Sequence, residues 1–141
     1  MFEKKFEDRL KQWYNFRYTL TTAPDPIQSA IDFWNQVPVS YRNIDPYEPT
    51  TWPNPWEMIE ENSYCEYTKI LAVAYTLKLT EQFKEWRPVF KIGIDKRNSR
   101  MYYMLFVKDK VLSFDSDKSI QITQVPNDIH IQKVIELPEL Y

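Results

Sequence analysis

The chain is 141 residues long and holds one glycine, one histidine and one cysteine. Loops that cradle phosphate need several glycines for close backbone approach, so the usual nucleotide-binding motifs are excluded. A metal centre built on imidazole and thiolate needs several such ligands, so no such metal site and no cofactor are expected. A lone Cys65 cannot close an internal disulfide, which points to a reducing, intracellular setting. No apolar run reaches the roughly 18 residues that a bilayer span needs. The first 20 residues are charged and amphipathic rather than a secretory leader. Neither membrane association nor secretion is expected. No charge sign dominates: 18 basic and 20 acidic residues leave a net charge of -2, so nucleic acid is not the expected partner.

What the chain has in quantity is rings and prolines. Ten tyrosines, eight phenylalanines and five tryptophans make 16% of it aromatic, beside ten prolines. Large rings bury much area, so they build a bulky core or anchor a partner. With 43% hydrophobic and 27% charged residues, residues 1–141 should fold as a single domain.

The pattern predicts helices first and a sheet second. Phe2, Phe6, Leu10 and Trp13 fall at helical spacing and predict an amphipathic helix over 2–18. Asp25-Pro26 supplies a cap followed by a first-turn proline for a second helix to about Gln36. Residues 39–53 hold Pro46, Pro49 and Pro53 and predict an ordered loop, which Tyr41, Tyr47 and Trp52 would pack. Asn54-Pro55-Trp56-Glu57 is a capping box for a short third helix. Ser63-Tyr64-Cys65-Glu66 reads as another, opening an almost wholly apolar central helix from Tyr64 to about Phe83. Strands then follow at 89–94, 100–107, 110–114, 119–124 and 129–135, with Asp109-Lys110 as a tight turn. Short strands joined by short turns predict an antiparallel meander of about five strands, hence an α+β class with the central helix buried against it.

One constellation could carry chemistry. This reading puts Cys65 at the N2 position of the central helix, where free N–H groups and the dipole favour a thiolate. The adjacent Glu66 opposes that charge. Asp109, Asp115 and Asp117 lack the spacing and glycine of a calcium loop. Lys84, Arg87, Lys91, Lys96, Arg97 and Arg100, near Trp86, Phe90 and Tyr102, read as a solvated basic hairpin rather than a stacking platform. Trp52, Trp56 and Tyr47 form a candidate partner surface in the proline loop, although Trp52 and Trp56 read better as a plug for the end of the core.

A cysteine opening a buried helix, followed by an antiparallel sheet with Asp115 late in a strand, resembles the transglutaminase-like branch of the papain-like cysteine enzymes. The resemblance implies that Cys65 attacks an acyl group, that a strand histidine acts as base, and that Asp115 orients it. The histidine position is taken by Tyr102 or Tyr103, and a phenol with a pKa near about 10 is a poor base at neutral pH. The remaining histidine, His130, lies on the last strand, after the aspartate instead of before it. A second resemblance rests on Trp52-Pro53-Asn54-Pro55-Trp56-Glu57-Met58-Ile59-Glu60-Glu61-Asn62 leading into Tyr64-Cys65, then Ala74-Tyr75-Thr76-Leu77, with Ile31-Asp32-Phe33-Trp34 upstream. This pattern is similar to small proteins of T-even-like tailed phages of marine bacteria, and it implies a source, not an activity. Together these predict a non-catalytic phage protein that binds other proteins, virion subunits or a host protein, in the host cytoplasm or the virion. The alternative is a cysteine-dependent acyl-transfer or hydrolytic enzyme using Cys65, His130 and Asp115.

Overall fold

The computed structural model describes residues 1–40, 43–113 and 119–137. Four helices precede five strands: α1 Phe6–Thr19, α2 Pro26–Trp34, α3 Pro55–Glu61, α4 Glu66–Lys78, β1 Val89–Asp95, β2 Arg100–Val107, β3 Lys110–Ser113, β4 Ile120–Gln121 and β5 Ile129–Glu136. The α+β class holds.

Local caps explain the helix ends. The Asp25 carboxylate accepts from the Gln28 N–H, with Pro26 at the first helical position. Asn54 and Glu57 form the reciprocal capping box of α3, which ends at Asn62 in the left-handed region (φ 53°). Helix α1 starts four residues later than the periodicity predicts, and its Arg9 is buried. Its guanidinium donates to the carbonyls of Ile59 (3.0 and 3.2 Å) and Glu60 (3.3 Å), and to that of Lys4. It thereby satisfies carbonyls that the last turn of α3 leaves orphaned. Helix α4 stops at Lys78, five residues short of the predicted end. There the Lys78 ammonium donates to the carbonyls of Lys84 and Trp86 (both 2.6 Å) and folds the following segment back on the helix.

The buried face of α4 is organised around Thr76. Its hydroxyl donates to the Ala72 carbonyl (2.7 Å) and accepts from the indole N–H groups of Trp13 (3.0 Å) and Trp34 (2.8 Å). One hydroxyl thus pins α1, α2 and α4 together, with its donor and both lone pairs used.

The sheet order is β4-β3-β2-β1-β5 and the pairs are antiparallel. Strands β1 to β4 form the predicted meander, but β5 does not extend it. Residues 122–128 carry the chain from the β4 edge to the opposite edge, where β5 pairs with β1. The predicted fourth strand is cut to two residues because Ile122–Gln124 winds into a 3₁₀ turn closed by Gln121 and Gln124. The turn before β3 is Lys108-Asp109, with Lys108 at φ 55°, so Lys110 already belongs to the strand.

Strand alternation gives the sheet two faces. Phe90, Ile92, Leu105, Val107, Leu112 and Ile135 belong to the core shared with the helices. The opposite face carries Lys91 and Gly93 of β1, Tyr102, Met104 and Phe106 of β2, and Ile131 and Val134 of β5, paired across the strands. Gly93 is required there. A Cβ at this position would lie 2.5 Å from Ile129 Cγ2 and 3.3 Å from Met104 Cε, where β5 shifts register between the residues facing Ile92 and Gly93.

Candidate functional site at the N-terminal end of α4

Cys65 is the N-cap of α4, one step before the helix rather than at N2. Two contacts set this frame. Tyr64 bridges Val39 in parallel fashion, and Ser63 spends its hydroxyl on Ser40 (2.7 Å) instead of capping the helix. The chain stays extended through residue 65, and the cysteine sulfur takes over as cap. It accepts from the Thr68 N–H (3.4 Å) and sits 3.1 Å from the Thr68 hydroxyl. Both residues are buried, with Cys65 at 2% exposure.

The sheet side of this end is aromatic. The Tyr67 ring meets Tyr103 of β2 edge-on at 5.6 Å and lies 5.4 Å from Trp52 and 6.0 Å from Phe90. Tyr103 is the inner-face strand residue here, in register with Ile92. Burial pushes both phenols above their ordinary range. The neighbouring Tyr103 adds to this at Tyr67, and Tyr47 and Asp45 add to it at Tyr103. Both tyrosines therefore stay neutral at physiological pH and cannot act as bases. The Tyr67 hydroxyl is buried and has no hydrogen-bond partner among the described residues.

The proline loop covers this end. Trp52 is buried, packs on Phe90 at 5.3 Å and donates its indole N–H to the Asp45 carbonyl (2.8 Å), while the Tyr75 hydroxyl donates to the Pro53 carbonyl (2.6 Å). The Asp45 carboxylate in turn accepts from the Tyr47 N–H (2.9 Å), and the Lys133 ammonium donates to the Tyr47 carbonyl (3.0 Å). Of the three candidate anchors, Trp52 thus packs inward, Tyr47 is half-buried and Trp56 is exposed at 40%.

His130 is exposed on β5, opposite Ile94, and no hydrogen bond joins it to Cys65. Asp115, with Asp117, lies outside the described residues. Asp109 uses its carbonyl to accept from the Ile122 N–H (2.9 Å). No group of three or more His, Cys, Asp or Glu side chains gathers among the described residues.

The basic hairpin is divided among separate partners. Lys84 pairs with Glu81 (2.8 Å), and Arg97 bridges Asp95 and Asp128 (both 3.1 Å). Lys91 and Arg100 lie over the rings of Phe106 (4.4 Å) and Tyr102 (5.1 Å). The Arg97 guanidinium and backbone N–H hold the Asp95 carboxyl below its usual range. Sequence reading missed Thr68 and Tyr67. The Cys-x-x-Thr spacing, a cap and the third helical residue, was the available signal.

No family model matches the chain, and no curated protein matches it. A solved structure does: Legionella pneumophila LapG in its calcium-bound form matches with a TM-score of 0.59 and 15% identity, over 94% of this chain and 76% of that one. LapG is a cysteine protease of transglutaminase-like fold. The chain shares its overall backbone fold with that structure. At this identity the likeness is one of backbone arrangement, and it agrees with a helix opened by a cysteine and packed on an antiparallel sheet. No helix is long and apolar enough to cross a membrane among the described residues.

Proposed function

We propose that the chain is a non-catalytic domain built on a transglutaminase-like scaffold, and that it works by binding other proteins. The supporting observation is the state of the helix-opening cysteine. Its sulfur is buried and committed to Thr68, and the strand residue that packs on the neighbouring Tyr67 is Tyr103, a neutral phenol. A nucleophile needs an exposed thiolate beside a base, and the buried Cys65 sulfur has no hydrogen-bonded base among the described residues. On the Trp52–Asn62 pattern, the protein is phage-encoded and serves in the virion. The test is a transamidation and proteolysis assay on the wild type beside Cys65→Ala, together with mass spectrometry of purified particles of the encoding phage. Equal, background turnover and presence in the particles are expected. Turnover lost in Cys65→Ala would overturn the non-catalytic reading, and absence from particles would overturn the virion assignment.

The second reading, a cysteine-dependent acyl-transfer or hydrolytic enzyme, draws on the fold shared with a cysteine protease and on Cys65 at a helix start. It requires the α4 end to open and bring His130 to the sulfur, since general-base catalysis works within hydrogen-bond reach.

A further inference from the structure

Residues 45–53 form a strap that is bonded to itself more than to the body of the protein. Within it the Tyr47 N–H donates to the Asp45 carboxylate (2.9 Å), and the Glu48 N–H and the Trp52 indole N–H donate to the Asp45 carbonyl (3.2 and 2.8 Å). The Thr51 N–H donates to the Glu48 carbonyl (3.0 Å) and the Trp52 backbone N–H to the Pro49 carbonyl (3.2 Å). Pro46, Pro49 and Pro53 lock φ inside it. A loop closed by its own bonds in this way moves as one piece.

Its attachment is slight. Among the described residues, two hydrogen bonds join it to the rest of the chain: the Lys133 ammonium donates to the Tyr47 carbonyl (3.0 Å), and the Tyr75 hydroxyl to the Pro53 carbonyl (2.6 Å). Lys133 also lies over the Tyr47 ring, at 5.8 Å. Trp52 is the strap's one fully buried residue, seated on the rings of Tyr67 and Phe90.

The closed position carries a cost on its underside. The Tyr103 phenol interacts electrostatically with Asp45 and Tyr47 of the strap, and the Tyr67 phenol interacts with Tyr103. The Tyr67 hydroxyl in this group is buried with no hydrogen-bond partner among the described residues, so nothing replaces the water it has lost. Lifting the strap returns that water. No such gain is open to Trp13 and Trp34, whose indole N–H groups are satisfied by Thr76.

We infer that the strap is a latched cover over the Tyr67 end of α4: it lifts as a unit with Trp52, Lys133 is its latch, and the unpaired Tyr67 hydroxyl biases it toward opening. The open form is a minor population that uncovers the rings of Tyr67, Phe90 and Tyr103 while the joint around Thr76 stays closed. This goes beyond the protein-binding reading and does not depend on it.

The test is 19F NMR relaxation dispersion on the full chain labelled with 5-fluorotryptophan, the Trp52 resonance being assigned with Trp52→Phe. Exchange on the microsecond-to-millisecond scale is expected at Trp52 and not at Trp13 or Trp34. Lys133→Met, at an exposed position, should raise the open population about fivefold, the worth of one hydrogen bond. Tyr67→Phe keeps the ring and removes the unpaired hydroxyl, so it should lower that population by at least about fivefold. The opposite signs of these two changes are what the inference requires. A Trp52 resonance without exchange in the wild type and in Lys133→Met alike would overturn it. So would equal exchange at Trp13 and Trp34, which would mean opening of the whole core, or an open population that Tyr67→Phe raises or leaves unchanged.

Discussion

The two ends of α4 solve the same problem in opposite ways. Toward its C-terminal half, Thr76 has every hydrogen-bonding position filled by Trp13, Trp34 and the Ala72 carbonyl. At its N-terminal end, among the described residues, the Tyr67 hydroxyl is buried among rings with no partner and the Cys65 sulfur has only Thr68. The first arrangement is a joint between helices, in which each polar atom was placed for stability. The second is the helix start that holds Cys65, and aromatic rings pack around it. A buried donor without a partner costs about 1–3 kcal/mol, so the closed end carries a cost that the joint avoids.

The largest expected effect comes from breaking the joint. Thr76→Val leaves two buried indole N–H groups unpaired and should cost about 3 kcal/mol or more, whereas Thr76→Ser keeps the hydroxyl and should cost less than half of that. Urea denaturation of both variants checks this. Arg9→Met comes next, because the orphaned carbonyls of Ile59 and Glu60 lose their donor inside the structure. A loss of about 2 kcal/mol is expected in the same assay.

The comparison sharpens at the other end. Tyr67→Phe deletes a hydroxyl with no partner, so stability should stay level or rise by up to about 1 kcal/mol. A loss above about 1 kcal/mol would mean that the hydroxyl is satisfied, and the contrast between the two ends would fail. The smallest effect is expected far from both ends, at Asp95. Its folded pKa lies below the unfolded one, so its stabilising contribution is present above the ordinary carboxyl pKa and is lost as pH falls through the folded value. Arg97→Ala should flatten this acid limb of a stability-against-pH curve.

Sequence showed most clearly what neighbours in the chain decide. Asp25-Pro26 and the Asn54/Glu57 box placed two helix starts because caps act over three residues. It failed where distant segments decide. Ser63 looked like a cap until Ser40 claimed its hydroxyl, which moved Cys65 from N2 to the N-cap. The role of Arg9 was not legible because its partners, the carbonyls at the end of α3, are about 50 residues away. The side of the sheet that β5 joins was not legible either, since edge choice depends on the whole topology and not on the β5 sequence. At the candidate site, the missing strand histidine could be seen from residue types alone. The commitment of the sulfur to Thr68 could not.

The central claim is that Cys65 is part of the core and not a nucleophile. Iodoacetamide alkylation of the native and the denatured chain across a range of pH tests it directly. The account predicts no native labelling and ordinary thiol reactivity after denaturation. Fast native labelling with an apparent pKa well below the free-thiol value of about 8.5 would contradict it.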